Sequence, residues 1–368
     1  MPFQATPMFP GDLYDTTLRV AAAAPVVETF ESQQASETWQ QFLALGWQGV
    51  LVSEADGGAG ASLADMAAVL EAAGRHALAA PLVARCAVLP ALLHDLRGQP
   101  AVAQLLAQVA SGEASACPVL EADAAAALRC TFQGEGDAPV LTGSLRGADL
   151  TEPATHLVFL ARTANGEDVL LLAARDALPG LARTWLGVDA RQTADIALEG
   201  VRLPAGAVLA RGEAARAAAA RARDVGALMS CAQIVGAMGA MIEQSIEYLS
   251  TRQQFGVALS TFQALRHRTV EMYVAYENVR GMVRQRVLAY GAGHAGGREI
   301  ALVKLYLSMT ARRAAEDCIQ LHGGIGMSRE LPAARLAMHA LACSLQWGDR
   351  YAQLDRLVAT DAADAAVH

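Results

Sequence analysis

The chain has 368 residues, of which 53% are hydrophobic and 18% are charged, so its composition predicts a compact globular protein with a sizeable core. The net charge is −8 and Lys304 is the only lysine, and the absence of a basic stripe argues against nucleic acid as the main partner. Residues 1–15 carry acids and prolines instead of a basic segment followed by an apolar run. We therefore expect a cytoplasmic protein without a signal peptide and without a membrane span.

Six scattered cysteines form no CxxC pair and no Cys/His spacing suited to zinc. We expect no metal site and interpret these residues as buried thiols in a reducing compartment.

The first 110 residues show a helical period. The clearest example runs from Ser62 to Arg75, where Ser62 is a good N-cap, Asp65 suits the helix dipole, and Gly74 is a plausible C-cap. These features predict an N-terminal helical domain over residues 1–112.

Short apolar and β-branched runs replace this pattern after Ser111. They cover 138–143, 156–160, 168–172 and 195–198, and Asn165-Gly166 between two of them predicts a hairpin turn. The pattern indicates a middle β domain over residues 113–212, and without alternating strands and helices a Rossmann-type sheet is not expected.

The helical period returns at Glu213 and predicts four long helices over about 214–251, 262–290, 298–321 and 331–360. Long helices joined by short loops form antiparallel bundles. The fold class is therefore α+β and mainly α, with a C-terminal four-helix bundle over residues 213–368.

Two loops of this last region carry candidate binding residues. The first combines a cation, side-chain amides and a glycine in a short space, and the second clusters glycines just past a helix end. Glycines let backbone N–H groups approach a phosphate, and a guanidinium pairs well with a diphosphate, although glycines after a helix also serve as ordinary C-caps. Together the loops predict a bound diphosphate held by Arg252, Phe255, Gly256, Phe262, Gln263, Gln320, Gly323, Gly324 and Gly326.

At these residues the chain resembles the acyl-CoA dehydrogenases. Arg252-Gln-Gln-Phe-Gly256 with Phe262-Gln263 is similar to the family's Arg-x-x-Phe-Gly … Phe-Gln signature. Gln320-Leu-His-Gly-Gly-Ile-Gly326 with Glu330 and Pro332 is similar to its Gln-x-x-Gly-Gly-x-Gly … Glu-x-Pro signature. Weaker similarities lie at Leu45–Gly49, Glu54, Gly57, Gly58, Gly60, Glu71, Arg75, Asp189, Arg191 and Val201–Pro204.

The resemblance implies the same three-part fold, FAD shared between two subunits, and an acyl-CoA substrate. It also implies that a Glu base takes the α-hydrogen as a proton while the β-hydrogen leaves as hydride, and that electron-transfer flavoprotein accepts the electrons. Carried over by motif, the nine residues of the two loops would hold the diphosphate part of FAD.

The expected base is missing. Counting from Glu330 and Pro332 places Trp347 at the usual Glu position, and counting back from Arg252 to the alternative position gives Gly226. Asp349 and Asp224 lie two residues from these positions and are candidates for a shifted base, with a surface carboxylate as the simpler interpretation of each.

The segment that should meet the flavin ring is altered as well. Where the family has Thr-Glu-Pro-x-x-Gly-Ser, this chain has Ala116–Ala124, without the Thr or the Gly-Ser pair. We interpret the later Thr151-Glu-Pro153 as a coincidental turn.

Three hypotheses follow. The first is the FAD-binding subunit of a heteromeric acyl-CoA dehydrogenase, an α2β2 complex whose catalytic partner supplies the base; steroid side-chain or dicarboxylic acyl-CoAs are candidate substrates. The second is a self-sufficient homo-oligomer with a shifted carboxylate base. The third is a non-enzymatic protein that keeps the fold alone, against which the retained diphosphate residues argue.

Overall fold

The computed structural model describes residues 3–24, 36–120, 128–133, 137–294 and 296–367, with the backbone alone for 360–367. Its first part is helical, as the sequence predicts. The helices are α1 (Asp12–Ala23), α2 (Glu37–Ala44), α3 (Leu63–Gly74), α4 (Leu89–Leu93) and α5 (Pro100–Ala110). A π-helical segment, Val83–Val88, leads directly into α4.

A single sheet follows these helices. Its strands are β1 (Ala116–Val119), β2 (Leu128–Gln133), β3 (Ala138–Asp149), β4 (His156–Arg162), β5 (Asp168–Ala174), β6 (Arg183–Leu186), β7 (Gln192–Arg202) and β8 (Val208–Arg211). The strand order is β6-β7-β3-β2-β4-β5-β8, and β1 pairs with β4 in parallel. Asn165 and Gly166 lie in the antiparallel β4–β5 connection, where Gly166 has a φ of 81°, so the predicted hairpin is confirmed.

The C-terminal helices are α6 (Gly212–Thr251), α7 (Gln263–Gly291), α8 (Gly297–His322), α9 (Pro332–Leu345) and α10 (Arg350–Val367). A short hairpin of β9 (Gln253–Gln254) and β10 (Val257–Ala258) joins α6 to α7. One prediction is wrong here: the last expected helix is two helices. Trp347 and Gly348 take φ values of 57° and 92°, a left-handed conformation that a helix cannot contain.

The chain forms two compact units. The bundle unit comprises Met1–Pro25, Ser62–Leu78 and Ala227–His368, and the sheet unit comprises Val26–Ala61 and Ala79–Gly226. The predicted domain boundaries at 112/113 and 212/213 stay predictions, because these units are defined by contacts and not by stretches of sequence.

The core of the bundle unit depends on a close crossing of α3 and α6. A Cβ atom on Gly74 would collide with the Gln233 carbonyl oxygen, and one on Gly236 would collide with the Glu71 carbonyl oxygen. Gly74 is therefore the last residue of α3 and a packing residue, and its predicted role as C-cap is wrong: Arg75 follows in αR geometry. The predicted N-cap is confirmed, since Ser62 and Asp65 form a capping box.

Inside the sheet unit, the strands pack around a core that includes Leu141, Phe159, Leu171 and Ile196. Across the chain all six cysteines are buried free thiols, which confirms their predicted burial. Within the described residues, no group of three or more His, Cys, Asp or Glu side chains could hold a metal ion.

Helix α6 corrects one expectation from the sequence. It contains an 18-residue window with a mean hydropathy of 1.7, which by length and composition could cross a membrane. That window is entirely buried inside the protein, as in the core helix of a globular fold.

Candidate functional site

The arginine loop, Arg252–Gln263, begins one residue after α6 ends. Arg252 N donates a hydrogen bond to Tyr248 O at 2.8 Å in the last turn of the helix, and Leu259 N donates to Arg252 O at 2.9 Å across the hairpin. Phe255 and Gly256 occupy the turn with φ values of 55° and 81°, a pair of positive angles typical of a type I′ turn. The loop is therefore a defined hairpin at the end of the helix.

Side chains of the arginine loop are presented to solvent. Phe255 is 89% exposed, and its ring meets that of Phe262 edge to face with centroids 6.0 Å apart. Gln263 begins α7, and its Nε2 lies 3.4 Å from Nε2 of His267. Arg252 is exposed, and its guanidinium has no hydrogen bond or ion pair within the part of the chain that the structure describes.

The glycine loop, Gln320–Gly326, begins in the last turn of α8. Gly323 has a φ of 63° and a ψ of −142°, a combination that side chains exclude. A Cβ atom on Gly323 or Gly324 would meet no atom within 4 Å, so the backbone here faces open space. Gly326 is different: it is buried, and a Cβ atom there would collide with the Ile319 carbonyl oxygen.

The structure brings the two loops to neighbouring helix ends. Tyr248 in the last turn of α6 and His322 at the end of α8 have ring centroids 4.7 Å apart, with 32° between the ring planes. One turn earlier, the Ser245 hydroxyl lies 3.6 Å from Cys318 Sγ. The loops therefore leave two helices that pack side by side.

These residues fit the diphosphate part of FAD. The two loops present an exposed guanidinium, an exposed side-chain amide at Gln320 and open glycine backbone. Groups of these kinds bind phosphate oxygens in proteins. The nine residues predicted from the sequence thus lie in two adjoining loops, and their contacts with the cofactor stay a prediction.

The candidate bases have different surroundings from those expected. Asp349 is the cap of α10, because its Oδ1 accepts hydrogen bonds from Tyr351 N at 3.0 Å and Ala352 N at 2.9 Å. Asp224 is only 8% exposed, so its interpretation as a surface carboxylate is wrong. Gly226 lies inside α6.

Trp347 is held in a rigid turn. Gln353 Nε2 donates hydrogen bonds to the carbonyl oxygens of Trp347 at 3.1 Å and Gly348 at 3.2 Å. A Cβ atom on Gly348 would collide with that same amide nitrogen. The chain therefore has a hydrogen-bonded turn at the position that the count from Glu330 assigns to the base, with an indole that can donate a proton but cannot accept one.

Thr151-Glu-Pro153 is a structural turn with several specific contacts. Glu152 is 4% exposed and accepts hydrogen bonds from the backbone N and the hydroxyl of Ser36, the N-cap of α2. Arg85, fully buried in the π-helical segment, donates to the carbonyl oxygens of Glu152 and Pro153. Of the stretch that replaces the family's flavin-facing segment, Ala116–Leu120 lies in and just after β1, and residues 121–127 lie outside the described residues.

Sequence reasoning missed three groups near these features. Arg85 carries no motif, and the apolar run around it, residues 81–93, was the signal that could have indicated its burial. Lys304 is fully buried in α8 and donates from Nζ to Ser230 Oγ at 2.7 Å and to the Cys343 carbonyl oxygen at 2.8 Å. Tyr248 lies one turn before the arginine loop and His322 lies within the glycine loop, and the signal that could have found them was this position beside Arg252 and Gly323.

Two family models match the sequence. The model of the acyl-CoA dehydrogenase N-terminal domain covers residues 16–113, and that of the C-terminal domain covers residues 215–359. The chain belongs to the acyl-CoA dehydrogenase family. The predicted three-part acyl-CoA dehydrogenase fold is thereby confirmed, and the predicted cofactor, FAD, is that of the family: related structures were solved with FADH2 and with FAD.

Relatives with assigned names share limited identity with this chain. The probable acyl-CoA dehydrogenase YngJ of Bacillus subtilis is 29% identical over 231 residues, which cover 61% of this chain and 60% of YngJ. Acyl-CoA dehydrogenase IpdE2 of Mycolicibacterium smegmatis is 26% identical over 286 residues, covering 78% and 75% of the two chains. The bovine mitochondrial short-chain specific enzyme is 26% identical, and the match spans 63% of this chain and 59% of that enzyme.

Solved structures match over nearly the whole chain. The Tcur3481-Tcur3483 steroid acyl-CoA dehydrogenase (G363A variant) is 26% identical with a TM-score of 0.83, covering 96% of this chain and 98% of that one. The ChsE4-ChsE5 complex of Mycobacterium tuberculosis has a TM-score of 0.82 at 22% identity, covering 98% and 99%, and shows the fold.

Proposed function

We propose that this chain is the FAD-binding subunit of a heteromeric acyl-CoA dehydrogenase and that a partner subunit supplies the catalytic base. The observation that carries the proposal is the contrast between two parts of the bundle unit. The arginine and glycine loops keep every diphosphate group that the family signatures contain, whereas the position of the base holds Trp347 in a fixed turn. The name of the Tcur3481-Tcur3483 pair supports a two-chain assembly for a relative of this kind.

The reaction would be the α,β-desaturation of an acyl-CoA thioester. Bound FAD supplies the hydride acceptor for the β-hydrogen. Arg252 would pair with a phosphate, and the backbone N–H groups at Gly323 and Gly324 would hydrogen-bond to phosphate oxygens. A carboxylate of the partner would take the α-proton.

The substrate and the electron acceptor are part of the same proposal. A steroid side-chain acyl-CoA or another bulky acyl-CoA is supported by the relative described as a steroid acyl-CoA dehydrogenase. Electron-transfer flavoprotein is the acceptor that the family resemblance implies.

The first test addresses the diphosphate site. Arg252→Ala should lose FAD while the protein stays folded, because an exposed guanidinium without a protein partner does not support the core. Arg129→Ala is the matched control, since Arg129 is also an exposed arginine and lies on β2, outside both loops. Flavin absorbance per chain after gel filtration measures the result, and full FAD retention by Arg252→Ala would contradict the site.

The second test addresses the base. Asp349→Asn and Asp224→Asn should leave turnover of the complex within about threefold of wild type, because neither carboxylate is proposed to take the proton. Asn also preserves the α10 cap. The corresponding Glu→Gln change in the partner should lower turnover by about a thousandfold or more.

A self-sufficient homo-oligomer is the second candidate, and the burial of Asp224 favours it. A thousandfold loss from Asp224→Asn or Asp349→Asn, with flavin still bound, would establish this candidate and reject the partner's base. Purification alone and then with the product of an adjacent gene separates all three hypotheses. The heteromer is yellow only with its partner, the homo-oligomer is yellow in both states, and a non-enzymatic protein is yellow in neither.

A further inference from the structure

Tyr248 and His322 form a ring contact between α6 and α8 near the points where the two helices end. Tyr248 lies four residues before Arg252, and His322 immediately precedes Gly323. Their ring centroids are 4.7 Å apart at 32°, within the range of favourable aromatic pairs. The pair is therefore placed where small shifts of one helix would change the distance between the two loops.

His322 is held in one orientation. It is 3% exposed, and its Nδ1 lies 2.8 Å from the carbonyl oxygen of Cys318. A carbonyl oxygen can only accept, so Nδ1 carries the proton and donates it. The ring is thereby tied to the helix that it ends.

Tyr248 is connected to the arginine loop through its backbone. Its carbonyl oxygen accepts the hydrogen bond from Arg252 N at 2.8 Å. One turn earlier, Ser245 and Cys318 pack with Oγ and Sγ 3.6 Å apart, and the Ser245 hydroxyl donates to the Met241 carbonyl oxygen at 2.8 Å. Two successive contacts, Tyr248 with His322 and Ser245 with Cys318, thus align the ends of α6 and α8.

We propose that the Tyr248–His322 ring pair sets the spacing between Arg252 and the Gly323–Gly324 backbone, and that both residues are positioning residues for the FAD diphosphate. This inference rests on the proposed FAD site. A diphosphate that is bound from two helices requires the binding groups of both helices to lie at a fixed separation. Binding groups that are displaced by about 1 Å lose much of their effect. Neither ring needs to touch FAD for this role.

The test is FAD affinity of the protein, measured in the assembly that binds FAD, by quenching of flavin fluorescence. Tyr248→Ala and His322→Ala should each weaken binding by roughly tenfold, the upper range for loss of an aromatic pair. Tyr248→Phe keeps the ring and should bind within about twofold of wild type. Glu247→Ala, at the exposed neighbouring position of α6, is the matched control and should bind as wild type.

A double variant identifies the contact as the cause. If the rings act as one unit, the double variant with Tyr248→Ala and His322→Ala should bind FAD no more weakly than the single variant that has the lower affinity. Additive losses would instead mean two independent effects and would overturn the proposal. Should Tyr248→Ala not fold, Tyr248→Leu keeps the apolar bulk without the flat ring and should show the same loss.

The failures of the two proposals are distinguishable. Loss of FAD from Arg252→Ala together with wild-type affinity in Tyr248→Ala and His322→Ala overturns the ring pair alone. Retention of FAD by Arg252→Ala, or absence of FAD from the wild-type protein with and without its partner, overturns the FAD site and the ring pair with it.

Discussion

Glu71 lies in a buried cluster of charged and phenolic side chains that holds the N-terminal segment on the bundle unit. Its Oε2 accepts a hydrogen bond from Met8 N at 2.8 Å, and Glu243 Oε1 accepts one from Ala5 N at 2.6 Å. Arg75 pairs with Glu243 at 2.6 Å. Other charged or titratable groups that act on these residues include Tyr14, His76, Tyr276 and Arg280.

Burial raises the pKa of the Glu71 carboxyl to about 7, while the Met8 hydrogen bond, Arg280 and Arg75 oppose that shift. The folded pKa lies above the unfolded one, so the stabilisation is complete below about pH 4.5 and is lost as pH rises through 7. We expect the free energy of unfolding to fall by about 2 kcal/mol between pH 5.5 and pH 8 through this group. Glu71→Gln keeps the acceptor oxygen and should remove this part of the pH dependence in urea unfolding.

Glu247→Gln, at an exposed position of α6, is the control for that experiment and should keep the wild-type pH dependence. Equal pH dependence in Glu71→Gln and wild type would show that the Glu71 carboxyl titrates normally.

Helices α3 and α6 cross with their backbones in contact, and two glycines make this possible. Gly236 faces the Glu71 carbonyl oxygen without room for a Cβ atom. Gly236→Ala should therefore lower the free energy of unfolding by about 3 kcal/mol, the upper range for overpacking, because backbone must move. Gly281→Ala in α7 has nothing within 4 Å of its new Cβ and should raise it by up to about 1 kcal/mol. The urea midpoints of the two variants show whether the free energy of unfolding falls in Gly236→Ala and rises in Gly281→Ala. An unchanged free energy of unfolding in Gly236→Ala would mean that the two helices can move apart without loss of stability.

The sequence predicted elements well where a local signal decides them. Ser62 and Asp65 predict the start of α3 because a capping box is a contact between near neighbours. Gly74 was assigned the wrong role because its partner, Gln233, is distant in sequence and only packing reveals the contact. The break at Trp347 was missed because apolar spacing continues across it, and the turn is fixed by Gln353 further along the chain.

The candidate site also has features that the local sequence predicts and features that only the fold reveals. Glycines and an arginine in short loops predict a diphosphate site from sequence, because backbone access and a cation are local properties. The burial of Asp224 could not be predicted, since it depends on how α6 lies in the fold. The cap at Asp349 is a local contact, and it was not predicted because one continuous helix was expected across this position. The ring pair of Tyr248 and His322 joins residues 74 positions apart and needed the structure (322 − 248).

At the scale of the whole molecule, large apolar side chains remain exposed on two neighbouring helices of the bundle unit. We name this surface the α8–α10 face. Its members recur at helical spacing on each helix and are between 41% and 62% exposed. They are Leu302, Tyr306 and Met309 on α8 and Tyr351, Leu354 and Val358 on α10. Large apolar side chains exposed along two helices that contact each other are typical of a subunit interface.

We expect this face to be buried against another subunit in a dimer of dimers that contains a second, different chain. Two charges in its middle, Met309→Glu with Leu354→Glu, should prevent assembly, because the introduced carboxylates would have to lose their hydration at the interface. Arg129→Glu, an exposed position on β2, is the control and should leave the assembly intact. Light scattering of the chain with its partner gives the mass directly. A wild-type chain that is a stable monomer with full dehydrogenase activity would contradict the expected assembly, since neither the exposed face nor the missing base would then require a partner.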